Sequence, residues 1–135
     1  MASKFELEKP VFERSGTGLS VSAVANDGNT TLTAAQSIES FITMTPDSGG
    51  HKITTASAAD IVAAIPGVQV GTTVRLIIQN MSGTNTIALV LGNKVERGGN
   101  ATQVLGANKT SSFLLHVTNI KDPEVYLYAL GQATT

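Results

Sequence analysis

The sequence has no cysteine and no tryptophan, and charged residues make up only 14% of its length. The lack of cysteine excludes a disulfide framework, a cysteine-ligated zinc site and a thiol nucleophile. Lys and Arg number 9 against 10 Asp and Glu, so the chain lacks the positive charge that favours binding to nucleic acid or an anionic membrane. The longest apolar run, residues 125–130, is far shorter than the roughly 20 residues of a membrane-spanning helix. We therefore expect the chain to bind neither nucleic acid nor a membrane. Because the N-terminus has no apolar signal-peptide core, we expect synthesis in a cytoplasm.

Small polar and β-branched residues take the place of charge. The chain contains 17 Thr, 11 Ser, 8 Asn and 13 Gly among its 135 residues. These types favour exposed strand faces and tight turns over long amphipathic helices. With only four Phe and two Tyr, the core must be built from aliphatic side chains. We therefore expect one mainly β domain.

The first fourteen residues differ from the rest in composition. They carry six charged residues, and Pro10 interrupts any regular element there. We interpret residues 1–18 as an extended N-terminal arm and hinge, followed by a single β-sandwich domain over residues 19–135. The arm's large apolar and basic side chains predict a segment that binds another protein subunit, through Lys4, Phe5, Leu7, Lys9, Pro10, Val11, Phe12 and Arg14.

The remaining chain shows strand-length apolar runs separated by turn formers. The patterns predict strands over residues 19–23, 38–45, 74–79, 86–91, 102–105, 110–117 and 124–129. One helix is expected over residues 58–65, capped by Thr55 or Ser57, with Ile61, Val62 and Ile65 buried. Helix and strand are hard to separate around residues 33–40. Strands at this spacing predict an antiparallel β-sandwich, jelly-roll-like, with one short helix near residues 57–65.

No motif for catalysis or metal binding emerges from the residues. His51 and His116 have no third ligand at a suitable spacing, and no Gly-x-Ser-x-Gly elbow or phosphate-binding glycine loop is present. Tyr126 and Tyr128 share one face of a predicted strand. That face is either a carbohydrate platform or, as we favour, a packed surface whose phenol oxygens reach solvent or a partner subunit. We expect no catalytic, metal or cofactor-binding residue and no cofactor.

The stretch over residues 55–74 has an alanine-rich helix, Pro66 and then Val70-Gly71-Thr72 leading into a strand that ends at Asn80. Together with the turn at residues 106–110 and the strands after it, this pattern resembles tailed-phage virion proteins over about residues 50–130. The resemblance is to head decoration (cement) proteins and to β-rich parts of head or tail fibres, which are commonly jelly-roll-like and homo-oligomeric. It implies a structural role and carries over no catalytic residue.

The resemblance and the arm together predict a function. We expect a virion protein on the outer capsid surface that binds the major capsid protein and itself, with a homotrimer favoured over a dimer. It would bridge neighbouring capsomers and stabilise the shell without enzymatic activity. A trimeric head or tail fibre, or a receptor-binding module of a phage, is the alternative, and an enzyme or unrelated β domain is a third class.

Overall fold

The computed structural model describes residues 19–99 and 103–134, so the predicted arm lies outside the described residues. The strands are β1 (Ser20–Ala23), β2 (Thr30–Thr31), β3 (Ser40–Met44), β4 (His51–Thr54), β5 (Thr73–Asn80), β6 (Ile87–Val90), β7 (Val95–Arg97), β8 (Val104–Leu105), β9 (Lys109–Asn119) and β10 (Glu124–Thr134). The helices are α1 (Ala34–Ser37) and α2 (Ala58–Ala64).

The strands form two sheets. The large sheet has six strands in the order β1-β3-β5-β9-β10-β7, and the small sheet has four in the order β2-β4-β6-β8. From β1 to β6 the chain alternates between the sheets, and strands that meet within one sheet run parallel. We call the pairs β1–β2, β3–β4 and β5–β6 coils. The coils stack, and α1 and α2 lie on the returns from the small sheet to the large one.

The last strands complete the sheets differently. β9 pairs antiparallel with both β5 and β10, and β8 pairs antiparallel with β6. β7 runs parallel to β10 at the far edge of the large sheet. Both sheets are therefore mixed.

The core contains one buried face from each sheet. Alternate residues of the strands are buried, as the two-residue period of a strand requires. The buried apolar residues belong to one hydrophobic cluster. Burying such side chains contributes about 1.5–3 kcal/mol each. The largest fully buried ones include Ile42, Leu76, Ile78, Phe113, Leu115 and Leu127 of the large sheet and Ile53, Ile87, Leu89 and Leu105 of the small sheet.

Helix α2 follows the sequence prediction closely. Ser57 is its N-cap, and its side chain accepts a hydrogen bond from the backbone N–H of Asp60 at 3.2 Å. Ile61 and Val62 are buried, and Ile65 packs against the core while half-buried. The predicted cap and apolar stripe are confirmed, and the helix ends at Ala64.

Asparagines in the turns tie one coil to the next. Asn26 Oδ1 accepts from the backbone N–H of Thr45, and Asn29 Oδ1 accepts from that of Lys52, each at 2.9 Å. Parallel strands are not joined by tight hairpins, so the turns of successive coils lie side by side. The two asparagine bonds connect the turn of the first coil to the second coil. This explains part of the asparagine content.

Buried hydroxyls do the same on the helix side of the coils. Ser37 Oγ accepts from the N–H of Ala56 at 3.0 Å, and Thr55 Oγ1 accepts from the N–H of Gly92 at 2.8 Å. Ser37 and Thr55 are both almost fully buried. The bond to Ser37 satisfies a buried donor, and the bond to Thr55 satisfies a partly buried one.

The expected architecture is confirmed at the level of a mainly β, sandwich-like fold with two sheets. The expected antiparallel pairing is wrong among β1 to β6, which pair in parallel with one another, and holds where β9 pairs with β5 and β10 and where β8 pairs with β6. A turn signal between two short apolar runs is compatible with a hairpin within one sheet and with a crossing between two sheets. Periodicity alone therefore could not separate the two topologies.

Candidate interaction surface

The large sheet has a second face, which points away from the small sheet and which we call the outer face. It carries an unusual number of apolar side chains. Val21 is 73% exposed, Leu130 56% and Tyr128 38%, while Phe41, Ile77, Leu114 and Tyr126 are half-buried. Exposed apolar side chains that adjoin one another mark interaction sites more often than single ones do.

Part of this surface is a continuous line across the strands, which we call the outer row. Val21 pairs with Phe41, Phe41 with Ile77, Ile77 with Ser112 and Ser112 with Gly131. Paired residues on one face have neighbouring side chains. The row therefore runs from the β1 edge to β10, apolar over its first three positions and small over its last two.

The outer row begins with a departure from the sequence pattern. Alternation in residues 19–23 predicts that the apolar residues of β1 face the core. The register instead pairs Ser20 with buried Ser40, so the serines face inward and Val21 faces outward. Burial of Ser40, whose Oγ donates to the carbonyl of Ala35 at 2.8 Å, fixes this phase. An exposed valine on an edge strand is the result.

The far end of the outer row opens into a groove of about 370 Å³. A β-bulge shapes it: Phe113 pairs with Ala129 and Ser112 with Gly131, so Leu130 has no partner in the ladder. The groove is lined by Arg75, Ile77, Thr110, Ser112, Phe113, Leu130, Gly131, Gln132 and Ala133. Ile77 and Leu130 give it an apolar wall, and Arg75 and Gln132 add polar groups beside it.

Beside the groove, the two tyrosines do share the outer face, as predicted. Tyr126 pairs with His116 and Tyr128 with Leu114, and the rings of His116 and Tyr128 have centroids 6.4 Å apart. Gly98 makes room for the Tyr128 ring, because a Cβ atom at this position would collide with it. The Tyr128 ring therefore packs closely against the backbone of Gly98, which directly follows β7.

One charged pair borders the outer face. Glu39 accepts a hydrogen bond from the backbone N–H of Arg75 at 2.6 Å, and the Arg75 guanidinium lies 3.7 Å from the same carboxylate. Both side chains are about half exposed, so the ion pair itself adds little stability. The side chain of Arg75 also lines the groove and is half exposed, so its guanidinium is accessible to an anionic group there.

The histidines are not assembled into a catalytic site. His51 Nε2 lies 2.7 Å from Asp47 Oδ1 and 3.2 Å from Ser48 Oγ. In a Ser-His-Asp triad the two partners use different ring nitrogens, whereas here both use the same one. His116 lies in the other sheet, and no three His, Asp or Glu side chains of residues 19–99 and 103–134 are placed to hold a metal ion.

All eight predicted partner-binding residues fall outside the described part of the chain. They are Lys4, Phe5, Leu7, Lys9, Pro10, Val11, Phe12 and Arg14. Sequence reasoning missed the outer row. Its signal was the run Leu76-Ile77-Ile78 in β5, since consecutive apolar residues in a strand indicate that both faces are covered.

Among the described helices, none is long and apolar enough to cross a membrane. No protein-family model matches the chain, and no curated protein or solved structure matches it either.

Proposed function

We propose that the chain is a structural virion protein that binds the outer surface of a tailed-phage capsid, bridges neighbouring capsomers and stabilises the shell. The apolar outer face carries this proposal, because exposed apolar side chains that adjoin one another are typical of protein-binding surfaces. The resemblance to decoration proteins over about residues 50–130 names the partner class, the major capsid protein. We also propose that the fold is related to the jelly roll. The two-sheet architecture is the feature that supports this relationship.

The binding would be divided between body and arm. Tyr126 and Tyr128 present large, rigid apolar surfaces that lose little conformational entropy on contact. The arm adds Phe5 and Leu7 as anchors, with Lys4 and Lys9 beside them to fix the register by charge. When one oligomer makes several such weak contacts, the first contact raises the effective concentration for the others. The overall affinity for the capsid then exceeds that of any single contact.

A homotrimer suits this role. A symmetric trimer presents three identical N-terminal arms. A capsid with three-fold local symmetry offers three equivalent positions for them to contact. Light scattering of the purified protein should give about three times the 14.0 kDa chain mass. A monomer at every concentration tested would contradict the trimer.

The function is tested with heads assembled from the major capsid protein encoded in the same genome. Full-length protein should co-sediment with them, and deletion of residues 1–14 should lower the affinity by at least about tenfold, because one set of linked contacts is lost. An enzymatic or tail-fibre role predicts no binding to heads, whereas a head fibre would also bind them.

A matched pair of variants tests the outer face in the same assay. Tyr128→Ser removes an exposed aromatic ring from it, whereas Val104→Ser removes an apolar side chain, 53% exposed, from the edge of the small sheet. Binding should fall for Tyr128→Ser and not for Val104→Ser. Equal affinities for both variants would show that the outer face does not contact the capsid. Unchanged thermal unfolding would establish that both variants are folded.

A further inference from the structure

Strand β10 extends well beyond its neighbour β7. The two strands pair in parallel up to Leu127, whose partner is Arg97, the last residue of β7. Among the described strands, none pairs with this side of β10 after Leu127. Leu127 is fully buried, whereas residues 128–134 are all exposed. We call residues 128–134 the open edge, because an exposed strand edge of this kind is a template for pairing with another chain.

The open edge lacks two of the features that commonly protect sheet edges from such pairing. Charged residues and proline are the usual ones, and the open edge contains neither. The bulge at Leu130 lies in the pairing with β9, and Gly131 to Thr134 pair regularly with that strand. Gln132 Nε2 donates to the carbonyl oxygen of Val104 at 2.9 Å, which ties this part of β10 to the small sheet. The open edge is therefore an extended strand, held on one side and available on the other.

Cavities lie beside the open edge on both faces of the large sheet. The groove is on the outer face. A second cavity, of about 310 Å³, is lined by Ser111, Phe113, Ala129, Gly131 and Gln132. It is on the core side of the sheet, since Ser111 and Phe113 are buried there. Because side chains alternate between the two faces of a strand, a strand added to the open edge directs one set toward the groove and the other toward the second cavity.

The second cavity contains an unused hydrogen-bonding group. Ser111 is 2% exposed, and its Oγ is the one buried side-chain nitrogen or oxygen of the described residues without a hydrogen-bond partner. A ligand that supplies a donor or acceptor there removes the cost of leaving this hydroxyl unpaired. Ser111 pairs with Gln132, so its backbone is two strand spacings, about 10 Å, from that of an added strand. A long amide side chain such as glutamine has the length to reach the hydroxyl.

A cation stands at each end of the open edge. Arg97 is exposed and pairs with Leu127 at its start. Lys109 pairs with Thr134 at its end, where Lys109 Nζ donates to Thr134 Oγ1 at 2.8 Å. The acidic residue of β7, Glu96, pairs one position before Leu127, outside the open edge. Seven residues at roughly 3.3 Å each separate the two cations by about 23 Å, so an added strand of about seven residues meets one cation at each of its ends.

These charges disfavour a second copy of this chain as the occupant. Two copies paired antiparallel across a two-fold axis would place Arg97 of one beside Lys109 of the other, and like charges opposite one another are destabilising. A segment with an acidic side chain near each end meets both cations favourably in either strand direction. We propose that the open edge binds an extended segment of a different protein, about seven residues long, with an acidic side chain near each end. This inference goes beyond the proposed function, because it does not depend on the partner being a capsid protein.

Peptide binding to the full chain tests the proposal. The probe is a fluorescein-labelled heptapeptide with blocked termini, Glu-Gln-Ile-Gln-Ile-Gln-Glu, and the comparison peptide has Lys in place of both Glu residues. In anisotropy titrations at low salt, the Glu peptide should bind at least about tenfold more tightly, because each end of the Lys peptide meets a like charge. Equal affinities, or no binding of the Glu peptide at about 1 mM protein, would overturn the proposal.

Charge reversal assigns the preference to the open edge. A chain with Arg97→Glu and Lys109→Glu should instead bind the Lys peptide more tightly. The matched control carries Lys52→Glu and Lys121→Glu, two exposed residues in the small sheet and in the β9–β10 turn. It has the same net charge and should keep the preference for the Glu peptide. A reversal in both proteins, or in neither, would overturn the assignment, and unchanged thermal unfolding would establish that both are folded.

Amide hydrogen exchange locates the bound peptide. The Glu peptide should slow exchange within residues 128–134, where new main-chain hydrogen bonds form, and leave β1 at the opposite edge of the large sheet unchanged. Slowed exchange confined to other strands would contradict the proposal. Exchange at the open edge that slows as the protein concentration rises, without peptide, would also overturn it, because a second copy would then be the occupant.

Discussion

Asn80 is the buried polar side chain on which the third coil depends, and Asn80→Asp tests its role. The Asn80 amide nitrogen donates to the carbonyl oxygens of Asn85, Leu105 and Gly106 at 2.8, 3.2 and 3.1 Å. Its oxygen accepts from the N–H of Ser82 at 3.0 Å. The side chain is fully buried. It thus joins the turn after β5 to strand β8.

Asn80→Asp places a carboxyl oxygen against those three carbonyl oxygens. A protonated carboxyl can still donate one hydrogen bond, so we expect a loss of about 1–3 kcal/mol in the free energy of unfolding at low pH. An ionised carboxyl is buried and faces only acceptors. Its pKa in the folded state should therefore rise above the unfolded value of about 3.9, by roughly 3 units.

The raised pKa fixes the sign of the pH dependence. The folded state holds the proton more tightly than the unfolded state, so stability is lost as the pH rises from about 4 to about 7. Three units correspond to about 4 kcal/mol. Asn80→Ala serves as the control, because it removes the same hydrogen bonds, costs about 3 kcal/mol, and introduces no titrating group.

The assay is urea unfolding of wild type, Asn80→Asp and Asn80→Ala at pH 4 and pH 7. The difference between the two variants should change by several kcal/mol between these pH values, with Asn80→Asp the less stable at pH 7. A difference that stays the same at both pH values would refute the reasoning about the three carbonyl groups.

Three further substitutions test the packing. Gly92→Ala would push a methyl group into the carbonyl oxygen of Ala56 and should cost about 1–3 kcal/mol, so an unchanged midpoint in thermal unfolding would be inconsistent with this contact. Ser37→Ala leaves the buried N–H of Ala56 without its acceptor and should cost about 1–3 kcal/mol in urea unfolding; no loss would mean that the bond between coils is dispensable. Gly98→Ala should displace the Tyr128 ring and alter the tyrosine signal in near-UV circular dichroism, and an unaltered signal would argue against that packing.

Local features were predictable from the sequence because short-range chemistry determines them. Ser57 followed by Asp60 and the apolar pair Ile61-Val62 specify the start and buried face of α2. The strands around Leu76 and Leu115 were predicted for a similar reason, since alternating or continuous apolar runs of this length fit a core strand.

Sheet topology was not predictable in the same way. Strands β2 and β4 were missed because their sequences, Thr30-Thr31 and His51-Lys52-Ile53-Thr54, contain few apolar residues. Their stability comes from parallel pairing with neighbouring coils and from side-chain bonds such as that of Asn29. Those partners are distant in sequence, so local propensity does not report them.

The sequence predicted the partner-binding residues of the arm but not the apolar outer face. The arm residues stand out by composition, but Val21 was expected to face the core, and its outward position depends on the pairing of Ser20 with Ser40. The bulge at Leu130 is likewise a property of the β9–β10 register. Both arise from contacts between strands, which is why the groove could not be predicted from periodicity.

The most direct test of the proposed function is a cryo-electron microscopy reconstruction of undecorated heads, assembled from the major capsid protein of the same genome, after incubation with the full-length protein. We expect new density on the outer capsid surface, at positions where neighbouring capsomers meet, that fits the two-sheet body. Heads that remain bare at saturating protein would contradict the account.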